Sequence, residues 1–260
     1  MVSTTLQSLY NSIDKQKEKL DTFRPLSHEQ SQNLKRIYSI DMTYHSNALE
    51  GNTLSYSETK LILEEGITIG GKSLNEHLEV INHKEALNFV EELIALPTSS
   101  LKEQEILTIH YLILKSIHSK EAGRYRTQNV GVKKSNGEIY HFCEPLKIQE
   151  KMEEFIEWLQ KSHELHPIQR ATLAHYHFVT IHPFIDGNGR TARILMNLIL
   201  MQNGYVPAII EFSDRGQYIQ SIEKAQNENT IEDFSLFIAQ QVSKNINFYI
   251  QTLQGNIHYL

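Results

Sequence analysis

The chain has 260 residues, enough for one sizeable hydrophobic core, and its 31 acidic and 25 basic side chains give a formal net charge of −6. The acidic balance, without a dense Lys/Arg stripe, excludes a typical nucleic-acid-binding surface, and one cysteine, Cys143, excludes an internal disulfide and a cysteine-based zinc cluster. The N-terminus lacks the pattern of a secretory signal and no long apolar run predicts a membrane span, so we expect a cytoplasmic protein without a membrane partner.

Hydrophobic spacing predicts a mainly helical chain. Apolar side chains recur at helical spacing over residues 3–22, and Arg24-Pro25 ends this pattern. A second helix is expected to begin near Ser27 or Glu29 and to end at Gly51-Asn52, a typical helix-stop pair. Further helices are predicted over residues 57–65, 74–96, 103–117, 147–161, 167–181, a segment ending near 203, 213–225 and 231–253.

Residues 127–144 predict a β-hairpin between these helices. Val130 and Val132 alternate with glycine and lysine, residues 135–137 have the composition of a turn, and residues 139–142 are suited to the return strand. A two-stranded ribbon is marginally stable alone, so we expect it to lie against the helical body.

Residues 182–193, HPFIDGNGRTAR, concentrate the chemistry of the chain. The apolar run that follows predicts a buried helix, which places Gly187-Asn188-Gly189 at its N-terminus. A helix start offers unpaired backbone N–H groups and the positive end of the helix dipole, and both suit a phosphate.

The same segment contains a base, a metal ligand and two cations. His182, with an ordinary pKa of about 6.5, can accept a proton at pH 7, and Asp186 is a hard oxygen ligand suited to Mg²⁺. Arg190 and Arg193 are three residues apart on the first helical turns and can bind phosphate oxygens in bidentate fashion. This set predicts phosphoryl or nucleotidyl transfer, with His182 deprotonating a hydroxyl nucleophile.

At every specified position, residues 182–193 match the signature of the Fic family, His-x-Phe-x-(Asp/Glu)-Gly-Asn-Gly-Arg-x-x-Arg, and the chain resembles that family. Residues 122–132 resemble the family's approach to its hairpin flap, and residues 79–87 resemble an early family helix. The resemblance covers about residues 47–253. It implies a compact helical bundle of the Fic type with one short β-hairpin flap.

This resemblance implies transfer of AMP from Mg-ATP to a protein hydroxyl, with release of pyrophosphate. His182 would be the general base and Asp186 would hold Mg²⁺. Gly187, Asn188 and Gly189 would cradle the phosphates, while Arg190 and Arg193 would hold the β- and γ-phosphates. Glycine at position 189 favours nucleotidyl transfer, because a related branch that transfers phosphate carries lysine there.

Residues 46–52 resemble the family's inhibitory motif, (Ser/Thr)-x-x-x-Glu-(Gly/Asn), with Ser46 and Glu50 at its fixed positions. A carboxylate at a helix C-terminus is unfavourable unless a cation meets it. The resemblance supplies Arg193 as that cation, and the pair would occupy the γ-phosphate site. We therefore expect N-terminal helices over residues 1–53, including the inhibitory helix, and a catalytic domain over residues 54–260. The alternative is that Glu50 is an ordinary surface glutamate.

In the family, the flap holds an extended target segment by strand addition. We expect nucleotide or target contacts from four consecutive flap residues, Val132, Lys133, Lys134 and Ser135. Tyr218 is a candidate for stacking on the ribose or base, or for the core, and Gln226 or Asn227 for bonding adenine. The family's usual tandem aromatic pair is incomplete here, because Ile219 follows Tyr218.

Two other functions remain open at this point. The same site could remove AMP from a modified protein, with Glu50 positioning water, or the groove beside the flap could hold a peptide in a non-catalytic adaptor. ATP and a target protein are the expected partners of the transferase. Self-modification is also expected, and a homo-oligomer is possible.

Overall fold

Ten α-helices and one β-hairpin form the described part of the chain in a computed structural model, which covers residues 3–96, 101–134 and 137–255. The hairpin strands are β1 (Gly131–Lys133) and β2 (Ile139–His141). The helices are α1 (Thr4–Asp21), α2 (His28–Leu49), α3 (Tyr56–Glu65), α4 (Leu74–Ile94), α5 (Glu103–Leu114), α6 (Ile148–Lys161), α7 (Pro167–Ile181), α8 (Asn188–Gln202), α9 (Arg215–Glu228) and α10 (Glu232–Leu253). The predicted helical fold with one short hairpin is confirmed.

Serine caps determine where three successive helices begin. Ser27, Ser55 and Ser73 precede α2, α3 and α4, and each serine side chain accepts a backbone N–H three residues later. In each case the residue at that third position returns a side-chain hydrogen bond, which completes a capping box. Such caps typically contribute about 1 kcal/mol each, so the N-terminal boundary of α2 follows from local sequence.

Helix α8 lies at the centre of the core. Its side chains are buried on all sides, and it packs most extensively against α7. Helix α1 packs against α10, and α2 packs against α3, α4 and α8. Tyr10 of α1 and Leu49 of α2 belong to the same hydrophobic core as Phe178 of α7 and Leu198 of α8. The N-terminal helices are therefore packed directly on the elements that contain the 182–193 motif.

The hairpin is antiparallel, with Val132 opposite Tyr140. Its strands have three residues each, so regular pairing is narrower than the predicted 127–144 segment. Phe142 N–H also donates to Val130 O across the base of the hairpin, at 3.2 Å. Ser135 lies outside the described residues. Within the described ranges, no helix is long and apolar enough to cross a membrane.

Candidate active site

The motif forms a short loop between α7 and α8. His182 ends α7 in a left-handed backbone conformation, with φ of 53°, and its N–H donates to Phe178 O. Gly187, with φ of 78°, precedes α8, and its carbonyl accepts the first intrahelical bond from Thr191 N–H. The N–H groups of residues 188–190 precede that bond and form the helix start, where an anion is stabilised.

The side chain of Asn188 holds this loop in shape. Its Nδ2 donates to Phe184 O at 2.8 Å, and its Oδ1 accepts from Phe184 N–H at 3.0 Å. Phe184 is fully buried and stacks on His110, with 3.5 Å between ring centroids. The Asn188 side chain is therefore used within the loop, and its predicted part in the phosphate cradle would fall to its backbone N–H at the start of α8.

His110 connects the loop to the segment before the flap. Its Nδ1 accepts from Gly123 N–H at 3.0 Å, and its Nε2 donates to Asp186 O at 2.9 Å. Burial lowers the pKa of His110 to about 4, which keeps the ring neutral with one donor and one acceptor nitrogen. A Cβ atom at Gly187 would lie 3.2 Å from the His110 ring, so glycine there permits the contact. His110 could not be predicted from the sequence, because no local pattern marks it.

His182 is placed to act as a base. Its Nδ1 donates to Val179 O at 3.3 Å, which leaves the Nε2 lone pair available as an acceptor. The Phe142 ring stacks on the imidazole at 3.8 Å between centroids and 13° between planes. Burial lowers the pKa of His182 to about 4, partly offset by the hydrogen bond to Val179 O. At pH 7 the imidazole is therefore neutral.

Arg190 lies between two carboxylates. Its side chain is 2% exposed, with Nη2 3.2 Å from Asp186 Oδ2 and Nη1 3.4 Å from Glu79 Oε1. Glu79 is on α4, and no motif in the sequence indicated a role for it. Arg190 is therefore buried and contacts Asp186, the carboxylate predicted to bind a metal ion.

Asp186 fits a divalent cation that arrives with a nucleotide. Its side chain is 48% exposed, and among the described residues no group of three or more His, Cys, Asp or Glu side chains could hold a metal ion. Mg²⁺ is commonly held by one or two carboxylates together with substrate phosphates and water. A single exposed carboxylate beside a helix start is consistent with that arrangement.

The structure brings Arg193 and Glu50 together. Arg193 Nη2 donates to Glu50 Oε1 at 2.7 Å and to Ser46 O at 3.0 Å, and its Nε donates to Ser46 Oγ at 3.0 Å. Burial opposes the charge on Arg193, but Glu50 and Tyr218 outweigh burial and leave the arginine's pKa raised. The guanidinium is therefore charged and held by the two fixed positions of the 46–52 motif.

Gly189 permits this ion pair. A Cβ atom at position 189 would overlap Glu50 Oε1 and would lie 3.0 Å from Arg193 Nη1. The absence of a side chain therefore lets the carboxylate approach the start of α8. This explains a glycine at position 189 independently of phosphate binding.

The C-terminal tip of α2 is held from two sides. Glu50 is the C-cap of this helix, whose last turn contains no basic residue. Arg215 Nε donates to Leu49 O at 3.1 Å and supplies a cation at the helix end. Asn52 Nδ2 donates to Glu76 O at 3.0 Å and to Glu79 Oε2 at 2.8 Å, which ties the following loop to α4.

A cavity of about 270 Å³ opens beside His182 and Arg193. Its lining combines the α2 tip, the flap, the motif loop and one face of α9. The lining residues are Leu49, Glu50, Val132, Phe142, Val179, His182, Gly189, Arg193, Arg215, Tyr218, Ile219, Ile222, Glu223 and Gln226. The sequence did not mark Ile219, Ile222 and Glu223 as site residues, although their helical spacing from Gln226 places all four on one face of α9.

The structure brings some of the predicted flap and nucleobase residues to the cavity and leaves others outside it. Val132, Tyr218 and Gln226 line the cavity, whereas Lys134 Nζ donates to Asn227 Oδ1 and so connects the flap to the end of α9. Lys133 is exposed on β1. Tyr218 is 3% exposed, and its hydroxyl lies 2.8 Å from His175 Nε2, so most of this side chain belongs to the core behind Arg193.

The fold and site define a helical protein that presents a helix start, a neutral histidine and a buried arginine to one cavity. The sequence profile of the Fic/DOC family matches residues 100–200. A solved structure of Fic-1 from C. elegans, residues 134–508, superposes with a TM-score of 0.84 and 34% identity, over 97% of this chain and 74% of that one. The chain belongs to the Fic/DOC family.

Two curated relatives and one bacterial structure extend this comparison. Protein adenylyltransferase Fic of Nematostella vectensis is 39% identical over 246 residues, which are 94% of this chain and 56% of that protein. Protein adenylyltransferase fic-1 of Caenorhabditis elegans is 38% identical over 214 residues, 81% of this chain and 41% of that protein. The chain therefore spans about half the length of these relatives. A Fic-domain-containing signaling protein from Bacteroides thetaiotaomicron superposes with a TM-score of 0.87 and 26% identity, over 95% of this chain and 97% of that one.

Proposed function

We propose that the chain is an autoinhibited protein adenylyltransferase that transfers AMP from Mg-ATP to a Ser, Thr or Tyr hydroxyl of a target protein. The observation that carries this proposal is the shared cavity of His182, Gly189, Arg193 and Glu50. In this cavity a neutral histidine lies beside a helix start and an arginine, and a carboxylate is bound to that arginine. Relatives named protein adenylyltransferase, 39% and 38% identical, support the reaction class.

The transfer step follows from these side chains. His182 Nε2 takes the proton of the target hydroxyl, the hydroxyl oxygen attacks the α-phosphorus, and the bond to the bridging oxygen breaks to release pyrophosphate. Arg193 and the N–H groups at the start of α8 stabilise the negative charge that develops on the leaving group. Asp186 would hold Mg²⁺, which neutralises phosphate charge when bound.

Glu50 opposes this step through Arg193. In the ion pair, the guanidinium already donates to Glu50 Oε1 and to Ser46, so these donors are not directed at a phosphate. The Glu50 carboxylate also adds negative charge where the terminal phosphate of ATP would lie. Glu50 and the terminal phosphate of ATP thus oppose each other. A coupling free energy between two binding events is typically about 1–3 kcal/mol, which corresponds to about 5–150-fold.

The hairpin is the proposed docking edge for the target. Val132 and Ile139 are exposed on its two strands, and Val132 also lines the cavity beside His182. An extended target segment that pairs with this edge would carry its hydroxyl toward the base. Residues of this chain that reach the edge are candidates for self-modification.

The decisive experiment compares incorporation of labelled ATP into protein by the parent chain, Glu50→Gly and the double variant Glu50→Gly/His182→Ala. We expect about 5–150-fold more incorporation by Glu50→Gly than by the parent. The double variant should lose about 10²–10⁴-fold relative to Glu50→Gly. Glu65→Gly is the matched control, because Glu65 is an exposed glutamate at the end of α3, followed by Gly66, and should leave incorporation unchanged.

Intact-mass measurement identifies the transferred group. An increase by one adenylyl group supports the proposal, whereas an increase by one phosphate contradicts it. Equal incorporation by the parent and Glu50→Gly would show that Glu50 is not inhibitory. Incorporation by none of the folded variants, together with loss of AMP from a modified target by the parent, would establish the hydrolase instead.

A further inference from the structure

Arg126 lies between the hairpin and the catalytic loop, and its guanidinium contacts three backbone carbonyls. Its Nε donates to His182 O at 2.8 Å, Nη1 to Gln128 O at 2.8 Å, and Nη2 to Cys143 O at 2.6 Å. Its backbone N–H donates to Pro183 O at 3.0 Å. Gln128 and Cys143 flank the two strands of the hairpin. One side chain therefore joins both ends of the flap to the residue proposed as the base.

The environment of Arg126 makes this connection rigid. Arg126 is 3% exposed, and burial lowers its pKa, although an arginine stays protonated in proteins. A buried charge is tolerated only when its donors are satisfied, so the three carbonyls must remain in place around the guanidinium. Because the guanidinium is a planar fork, it also sets the directions in which those carbonyls lie.

The residues that follow β2 contact His182 and its neighbour without the help of Arg126. Phe142 stacks on the His182 ring, and Cys143 Sγ donates to Ile181 O at 3.3 Å. His182 itself has a positive φ, which a residue other than glycine keeps only when its surroundings enforce it. The flap and the base thus form one connected unit, with Arg126 at its centre.

We propose that Arg126 is a positioning residue for the transfer step, which couples the edge where a target strand would pair to His182. It thereby sets the distance between a docked target hydroxyl and His182 Nε2. Arg126 is not among the residues that line the cavity beside His182 and Arg193, where ATP would bind, so its contribution acts on the rate of transfer and not on the use of ATP. The kinetic consequence rests on the proposed function.

The test uses the full chain in the Glu50→Gly background, with Arg126→Lys as the variant. Lysine keeps the charge but cannot form the three-carbonyl fork. Arg170→Lys is the matched control, because Arg170 is also 3% exposed and donates to Leu159 O and Ser162 Oγ, within α6, α7 and their connection. Self-incorporation is followed at varied ATP concentration, and amide hydrogen exchange is followed over residues 131–134 and 137–142.

We expect Arg126→Lys to lower the maximal incorporation rate by about 10–100-fold, since a displacement near 1 Å can cost about 10² in rate. The ATP concentration at half-maximal rate should stay within about twofold of that of the Arg126 enzyme, and hairpin exchange should rise. Arg170→Lys should change none of these quantities. The same pattern is expected for Arg126→Gln, which serves if the lysine variant does not fold.

An unchanged rate with unchanged hairpin exchange would overturn the inference, as would equal rate losses in the Arg126 and Arg170 variants. The exchange measurement separates this inference from the proposed function. If even the Glu50→Gly parent incorporates no label, the proposed function fails. Faster hairpin exchange in Arg126→Lys than in Arg170→Lys would still support the coupling of the flap to the loop.

Discussion

Arg193 is the residue shared by the two proposed states of the site. Its donors face Ser46 and Glu50 in this structure, and the same guanidinium is the proposed ligand of the terminal phosphate of ATP. Substitution of Arg193 is therefore expected to have a different effect on transfer from substitution of Glu50. Removing Glu50 frees a phosphate ligand, whereas removing Arg193 removes the ligand itself.

We therefore predict that Arg193→Ala does not activate the enzyme, although it breaks the ion pair. In the parent background incorporation should stay at or below the parent value. In the Glu50→Gly background it should fall by about 10²–10³-fold, the typical cost of one lost donor to a developing anion. Arg36→Ala, a surface arginine paired with Glu64, is the control. Higher incorporation by Arg193→Ala than by the parent would contradict a shared role.

At the scale of elements, the tip of α2 depends on its neighbours for its position. Arg215 of α9 caps the helix at Leu49, and Asn52 connects the next loop to α4. Helix ends with few local bonds fray readily, so these contacts from outside the helix determine how firmly Glu50 is presented.

We predict that Asn52→Ala partly activates the enzyme. The substitution removes the side-chain bonds to Glu76 O and Glu79 Oε2 without altering the lining of the cavity beside His182. Incorporation of labelled ATP should rise several-fold, but by less than in Glu50→Gly, because Arg215 still caps α2. Amide exchange near residues 48–52 should increase in parallel. Gln32→Ala, an exposed substitution early in α2, should change neither measurement. A fully active Asn52→Ala, or one identical to the parent, would show that this contact does not control the tip.

At the scale of the whole molecule, burial lowers the pKa of four histidines in the described residues far enough to keep them neutral well below pH 6. Burial lowers the pKa of His83 and His175 to about 3 and that of His110 and His182 to about 4. In the unfolded chain these groups have pKa values of about 6.5. Between pH 6.5 and 4 the unfolded state therefore binds protons that the folded state does not, so stability falls as the pH is lowered.

We expect the free energy of unfolding, measured by urea titration, to be clearly lower at pH 5.0 than at pH 7.5. Each buried histidine can contribute up to about 1.4 kcal/mol per pH unit in this window. His83→Gln should lower the number of protons taken up on unfolding by about one, and so weaken the pH dependence of the free energy of unfolding. The reason is that His83 is fully buried against Thr43. His163→Gln, at an exposed position, should leave it unchanged. If the free energy of unfolding depended equally on pH in the two variants, burial of neutral His83 would not be a cause of the acid sensitivity.

The sequence by itself determined most helices, the hairpin and the position of the 182–193 motif at a helix start. Capping boxes, helix stops and apolar spacing act over three or four residues, so the bounds of α2 and α3 could be predicted to within one or two positions. The 182–193 motif is likewise contiguous, which is why its histidine, helix start and arginines were recognisable, and why the family resemblance could predict the contact between Glu50 and Arg193.

Only the tertiary structure decided which distant residues support these groups. The contacts His110–Asp186, Arg126–His182 and Glu79–Arg190 join residues 56 to 111 positions apart in the chain. Packing also decided that the Asn188 side chain bonds within the loop and that Tyr218 is mostly buried at the edge of the cavity. Such pairings depend on how helices pack across the core, whereas local propensities act within a turn or two of the chain, so no pattern within one segment could predict them.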